Sequence, residues 1–192
     1  MTKDNILIKL YKLPNTVFAT RDLALIWQES NKNRLNAKIA YYVKRGSLIR
    51  LRPGVFAKSR DYELKELGTS IITPSYVSFE TVLREQGMIF QYYKSIFLAS
   101  YTTRTIKCDK NIFEYKKLKN VVLYNTAGLI NKDTYWSATA ERAFLDTIYL
   151  APNYFFDNLK PLNWDKCFEL VKIYKNKQLI LRLNKYYKEY AK

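Results

Sequence analysis

The segment from residue 20 to residue 57 constrains the fold of this chain more than any other stretch. Thr20 is a candidate N-cap for one helix, and Ser30 or Asn31 caps a second helix that runs to Arg45. On a helical wheel, one side of the second helix is apolar and the opposite side is polar and basic. One face is therefore expected to pack, while the other stays open to solvent.

A hairpin is expected directly after the second helix. Gly46 suits the left-handed position just past a helix end, and from there the apolar period changes from helical to extended. Pro53 and Gly54 occupy the second and third places of a type II turn, so short strands should flank them. With a further helix expected over residues 5–13, this order of elements predicts a winged helix-turn-helix.

The distribution of charge favours a polyanionic partner. The chain has 33 Lys and Arg against 17 Asp and Glu, which gives a formal net charge of +16. Residues 1–60 hold thirteen of the basic and three of the acidic residues, whereas residues 61–192 hold twenty and fourteen. A genome rich in A and T also raises Lys content without any ligand. The concentration of charge in the first 60 residues nevertheless favours nucleic acid.

The residue types present exclude several classes of function. The chain has no histidine, which removes imidazole-based catalysis and metal sites. Cys108 and Cys167 lack a CxxC spacing, so we expect reduced, packed thiols, no catalytic residue, no metal and no cofactor. No run approaches the roughly 18 apolar residues of a membrane helix. The expected protein is soluble and cytoplasmic, without a membrane partner.

The polar run at residues 58–61 is the expected boundary between two domains, residues 1–60 and residues 61–192. The second domain combines helical and extended patterns. Helices are predicted near 62–67, from 75 or 78 to 86, and near 137–150, 164–175 and 177–190, and extended segments at 95–102, 112–117 and 121–124. The expected fold class is α+β, with an N-terminal winged helix-turn-helix and a C-terminal mixed domain in which a small antiparallel sheet packs with helices.

Winged helix-turn-helix proteins place the second helix of the motif in the major groove and the wing along phosphates. Asn33 and Arg34, near the start of that helix, are candidates for base contacts, and Tyr41 can contact either bases or phosphates. The candidate phosphate contacts are Lys38, Lys44, Arg45, Arg50 and Arg52. A basic helix face is often only solvated surface, and some winged helices bind proteins alone. The basic hairpin at the right spacing favours double-stranded DNA.

Three short motifs follow one another between residues 20 and 150. They are Leu48-x-Arg50-x-x-x-Gly54-Val55-Phe56, the segment 74–87 with Tyr76-Val77-Ser78 and Gly87, and Ala138-x-x-Glu141-Arg142-Ala143-Phe144-Leu145-Asp146. In order and spacing they resemble the AbiEi-type antitoxins of abortive-infection, type IV toxin–antitoxin systems. The resemblance implies a repressor that binds the promoter of its own operon and counteracts a cognate nucleotidyltransferase-like toxin. Candidate contacts to that partner are Arg104, Glu141, Arg142 and Asp146.

Other interpretations of the second half remain open. Arg142 is also expected as a buried residue, paired with a carboxylate, that fixes its helix against the sheet. The domain could instead serve dimerisation or sense a small ligand, and the oligomeric state is open. A metal-dependent nuclease is a further alternative, with Asp109, Glu114 and Lys116 as the acidic and basic residues.

Overall fold

The structure is a computed structural model that describes residues 3–190, with side chains from residue 7 onward. The predicted limits at residues 1 and 192 lie outside the described residues. The fold is α+β, as predicted. The first elements are α1 (Lys3–Tyr11), β1 (Val17–Ala19), α2 (Thr20–Trp27), α3 (Lys32–Lys44), β2 (Ile49–Arg52) and β3 (Val55–Ala57). They are followed by α4 (Leu64–Ile71), β4 (Ser75–Val77), α5 (Phe79–Glu85), β5 (Ser95–Ser100), β6 (Arg104–Cys108), β7 (Asn111–Lys117), α6 (Asn120–Leu123), β8 (Leu129–Asn131), β9 (Trp136–Ala138), α7 (Ala140–Leu150), α8 (Trp164–Leu170), a 3-10 turn (Val171–Tyr174) and α9 (Lys177–Tyr190).

The first part of the chain combines three helices with a three-stranded antiparallel sheet of order β1-β3-β2. Its helices pack on one side of this sheet around a hydrophobic cluster, which we call the N-terminal cluster. The buried members are Leu10, Phe18, Leu23, Trp27, Leu35, Ile39, Tyr42, Leu48 and Phe56. The apolar side of each helix, which the sequence pattern predicts, is thus the side that is buried.

The opposite side of the same sheet faces the rest of the chain. Val17 and Val55 are buried in the second, larger hydrophobic cluster, and Leu51 packs against it. Glu66 of α4 is 1% exposed and accepts hydrogen bonds from Asn15 Nδ2 (3.0 Å), Thr16 N (2.9 Å) and Thr16 Oγ1 (2.5 Å). The three-stranded sheet is therefore a layer between the first helices and the C-terminal part, bound on both sides.

The C-terminal part contains a six-stranded sheet of order β6-β7-β5-β4-β9-β8. The sheet is mixed, because β5 pairs parallel with β7 and β4 pairs parallel with β9. The expectation of a small antiparallel sheet is wrong on this point. The chain leaves β5, forms the outer strand β6 and turns back into β7, which inserts between them. Side chains alternate in parallel and antiparallel strands alike, so the sequence pattern does not distinguish the two.

Two local expectations are corrected. Residues 121–124 are not extended, since α6 covers Asn120–Leu123 as a single turn that buries Val122 and Leu123. Thr20 is the first residue of α2 and not its cap. The Asp22 carboxylate accepts the backbone N–H of Ala19 at 2.7 Å, while the Thr20 hydroxyl donates to the Gly54 carbonyl at 3.3 Å. The cap is thus built from the third helical residue, which the sequence pattern did not reveal.

Candidate nucleic-acid interface

The start of α3 is fixed by its cap. The Asn31 side chain accepts hydrogen bonds from the backbone N–H groups of Asn33 (3.0 Å) and Arg34 (3.1 Å). Asn31 is one of the two caps expected from the sequence. Because the cap holds the first turn, the side chains of Asn33 and Arg34 leave the helix at a defined position, and both are exposed.

Packing sets the rotation of α3 about its axis. Leu35, Ile39 and Tyr42 are buried in the N-terminal cluster, and the Tyr42 ring lies 5.5 Å from the Trp27 ring between centroids. The helix ends at Lys44, and Gly46 just beyond it has a φ of +74°, the left-handed conformation expected there. The polar side of the helix therefore points away from the protein.

The outward side of α3 carries the predicted base-contacting residues and further cations. Lys32, Arg34 and Lys44 are exposed, and Tyr41 is 37% exposed. Lys32 was not among the predicted contacts, although its place as the first residue of α3 is a usable signal. The outer face thus presents positive charge along its length.

Lys38 lies at the side of this face. Its Nζ is 2.6 Å from Oε2 of Glu29, in the turn between α2 and α3. The hydrogen bond from Lys38 lowers the pKa of Glu29 below its usual value, although burial opposes the shift. Lys38 therefore ties the turn to the helix and has part of its charge compensated within the protein.

Arg45 and Tyr41 form a pair at the end of α3. The Arg45 guanidinium donates to the Tyr41 hydroxyl at 2.5 Å, and its central carbon lies 5.3 Å from the ring centroid. Arg45 is exposed. The pair holds a planar cation at the surface, a geometry suited to phosphate oxygens.

The hairpin places its two arginines on different sides. Arg50 is exposed, with its guanidinium carbon 5.7 Å from the centroid of the Phe56 ring. The pairing of β2 with β3 shifts register between Arg50 and Arg52, so the side chains of β2 no longer alternate regularly between the two faces of the sheet. Arg52 is half-buried, and its Nη1 is buried without a hydrogen-bond partner among the described residues. Arg50 is therefore the better placed of the two for a phosphate contact.

The Arg52 side chain lies close to the C-terminal sheet. Burial raises the pKa of Tyr115, and the nearby charge of Arg52 acts in the opposite direction. The same two effects act on the pKa of Cys108, where burial again dominates. Arg52 thus belongs to the layer between the two hydrophobic clusters.

Few acidic groups offset the positive face. Within residues 7–60, salt bridges join Arg21 to Asp22 and Lys38 to Glu29. The exposed cations of α3 and the hairpin form no salt bridge to any described residue. They are Lys32, Arg34, Lys44, Arg45 and Arg50. Arg34 lies near enough to Glu29 for its charge to help lower the pKa of that carboxyl, but the excess of cations on the face remains.

The candidate partner contacts on α7 are buried. Arg142 and Asp146 are 0% exposed and Glu141 is 8% exposed, whereas Arg104 is exposed on the edge strand β6. Arg142 and Asp146 therefore present no surface to a partner in this structure, which corrects their assignment as contacts. The alternative interpretation, a buried pair that fixes α7, matches the geometry.

The buried pair is extensively hydrogen-bonded. Arg142 Nε lies 3.3 Å from Asp146 Oδ1, and its other nitrogens donate to the carbonyls of Val122 (2.7 Å) and Ala127 (2.7 Å). Burial lowers the pKa of Arg142, but the charge of Asp146 more than compensates, so the pKa lies above its usual value. Arg142 stays charged and joins α7 to the segment around α6.

The residues of the nuclease alternative do not converge. Lys116 Nζ lies 2.7 Å from Oε1 of Glu80, so its charge is used within the protein. Asp109 accepts a hydrogen bond from the Tyr62 hydroxyl at 2.8 Å. It lies in the β6–β7 turn, and the register places Glu114 opposite Thr105, about 10 Å further along the strand.

Comparison with protein-family models finds no model that matches the chain, and comparison with curated proteins finds no match either. Among residues 3–190, no group of three or more Cys, Asp or Glu side chains is placed to hold a metal ion. None of the described helices is both long enough and apolar enough to span a bilayer.

Proposed function

We propose that the protein is a transcriptional regulator that binds double-stranded DNA, with residues 3–57 acting as a winged helix-turn-helix. In this proposal α3 enters the major groove and the β2–β3 hairpin is the wing. The single observation that carries the proposal is the outer face of α3, where exposed cations project from a capped and well-packed helix and form no salt bridge to a described residue. An α-helix fits the major groove, which is roughly 12 Å wide.

The proposal divides the residues by role. Asn33 and Arg34 in the first turn of α3 would meet base edges, while Lys44, Arg45 and Arg50 would meet phosphates. Each phosphate neutralised contributes about 0.9 to the slope of log affinity against log salt concentration. Loss of a phosphate contact therefore changes the slope as well as the affinity.

The test is binding of the purified chain to a duplex from its own promoter region, followed by fluorescence anisotropy over a range of salt concentrations. The variant Arg34→Ala/Lys44→Ala/Arg50→Ala removes three cations from the proposed interface. Two of these, Lys44 and Arg50, are proposed phosphate contacts, so we expect the salt slope to fall by about 2 and the affinity to fall at least about tenfold.

A matched control removes the same charge elsewhere. Lys172, Lys185 and Lys188 are exposed near and on α9, and their replacement by alanine also lowers the net charge by three. We expect this control to keep the salt slope of the wild-type chain. Equal slopes and affinities for the wild type and the α3 variant would refute the proposed interface.

We further propose, on the resemblance to AbiEi-type antitoxins, that the protein represses its own operon and counteracts a nucleotidyltransferase-like toxin. The supporting observation is the three motifs in order along the sequence. The test is growth of cells that express the neighbouring nucleotidyltransferase-like reading frame with and without this chain. The wild type should restore growth. Failure to protect, or the absence of such a reading frame beside the gene, would refute the antitoxin assignment.

A further inference from the structure

A groove follows the outer edge of β2, beyond the predicted DNA-binding residues. We call it the hairpin groove. It encloses about 330 Å³ and is lined by Ile49–Leu51 of β2, Arg60 and Tyr62 of the connecting segment, and Asp109 and Lys110 of the β6–β7 turn. Its two walls therefore come from the two parts of the chain, one from the wing and one from the C-terminal sheet.

Hydrogen bonds on both sides keep the walls of the hairpin groove in register. The Tyr62 hydroxyl donates to Asp109 Oδ2 at 2.8 Å, which joins the connecting segment to the β6–β7 turn. The Cys108 thiol donates to the carbonyl of Leu51 at 3.7 Å, which joins the end of β6 to β2. The β6–β7 turn is thus held beside the wing.

Exposed cations stand on both walls. Arg50, Arg60 and Lys110 are exposed, and none forms a salt bridge to a described residue. The acidic residues beside them in sequence are Asp61 and Asp109. Asp109 is held by Tyr62, whose pKa is raised to about 12 by burial and by the Asp109 charge, so Tyr62 remains a hydrogen-bond donor at neutral pH.

The hairpin groove is connected to α3 through β2, which forms one of its walls. β2 begins at Ile49, only five residues after Lys44, the last residue of α3. Ile49 pairs with Ala57. The Tyr11 hydroxyl lies within 3.4 Å of the carbonyls of both Ser47 and Lys58, so Lys58 lies beside the segment that leads out of α3. Arg50, a proposed phosphate contact, lines the hairpin groove together with Arg60 and Lys110, so the groove continues from the proposed interface.

We propose that the C-terminal part extends the DNA interface, and that Arg60 and Lys110 bind the phosphate backbone of the duplex that α3 contacts. This inference rests on the proposed function. The ligand of the hairpin groove is a polyanion with regularly spaced phosphates, since cations on both walls of an open groove can neutralise successive phosphates. These two residues increase the affinity and help to fix the position of the protein along the duplex, but they do not read the base sequence.

The experiment compares the full-length wild type with Arg60→Gln/Lys110→Gln on the same promoter duplex and on a duplex of scrambled sequence. We expect the salt slope to fall by about 2 and the affinity at about 0.1 M salt to fall about tenfold for both duplexes. The ratio of the two affinities should stay unchanged. The control Lys172→Gln/Lys188→Gln removes the same charge from the α8–α9 region and should leave the slope unaltered.

A second variant tests the inference by a gain of affinity. Asp109→Asn removes a negative charge from the hairpin groove while the side-chain oxygen still accepts the hydrogen bond of Tyr62. We expect tighter binding to both duplexes and an unchanged thermal midpoint. This variant also guards against a loss of binding that reflects poor folding of the double variant.

The outcomes separate the two proposals. If the wild type binds DNA and the α3 variant loses binding, but the double variant keeps the wild-type slope, the extension is wrong and the proposed function stands. If Asp109→Asn leaves the affinity unchanged, the hairpin groove does not face the duplex. If the wild type shows no salt-dependent binding, both proposals fail.

Discussion

The substitution Asp146→Asn tests the buried pair that anchors α7. The carboxylate of Asp146 is 0% exposed and accepts hydrogen bonds from the hydroxyls of Tyr76 (2.9 Å), Ser78 (2.8 Å) and Tyr174 (2.6 Å). It also pairs with Arg142 at 3.3 Å. Asparagine has nearly the same shape, so the change removes the charge with little change in volume.

The expected cost follows from the charge left behind. Arg142 would stay buried with carbonyl and hydroxyl acceptors but without its counter-charge, and breaking a buried pair in this way costs about 3 to 5 kcal/mol. The free energy of unfolding of a domain is typically about 5 to 15 kcal/mol, so the loss is a large fraction of it. Tyr174→Phe removes a single hydrogen bond to the carboxylate and should cost about 1.5 to 3 kcal/mol.

The assay is equilibrium unfolding in urea, followed by the fluorescence of the three tryptophans. Asp165→Asn on the exposed side of α8 is the control, and we expect it to change the free energy of unfolding by less than about 0.5 kcal/mol. If Asp146→Asn does not fold, Tyr174→Phe still reports on the network. A cost below about 1 kcal/mol for both variants would refute the account of a buried, charged pair.

Further predictions concern other buried or paired groups. Glu66→Ala should lower the free energy of unfolding by about 1 to 3 kcal/mol, because it leaves the donors from the first part of the chain without their acceptor, whereas Glu66→Gln should cost less in the same urea assay. Burial raises the thiol pKa of both Cys108 and Cys167. We therefore expect neither thiol to react with a disulfide reagent in the native protein and both to react in concentrated guanidinium chloride; rapid native labelling would contradict this. Because the hydrogen bond from Lys38 lowers the pKa of Glu29, its stabilisation is present above the unfolded-state pKa and is lost as pH falls through the folded-state value. An NMR titration should show a depressed pKa for Glu29 that returns toward normal in Lys38→Ala.

Local features of α3 were predictable because they depend on nearby residues. The cap at Asn31, the left-handed Gly46 and the buried positions Leu35 and Ile39 follow from side-chain chemistry and helical period. The exposed face of the helix follows from the same period. The residues that shape the candidate interface therefore lie mostly within one short segment of the sequence.

Features that depend on distant residues were not predictable. The side of the hairpin that Arg52 takes depends on a register shift and on the C-terminal sheet beneath it. The compensation of Lys38 depends on Glu29 in the preceding turn. The partners of Asp146 include Tyr76, seventy positions away. Periodicity reports only which side of an element is apolar, so it does not identify such partners.

Amide NMR mapping shows whether the outer face of α3 contacts duplex DNA. The labelled full-length chain is titrated with a duplex from its own promoter at near-physiological salt. We expect the largest shifts on the amides of α3 and β2, with smaller shifts around Lys110. Shifts confined to α8 and α9, or no shifts at all, would contradict this expectation.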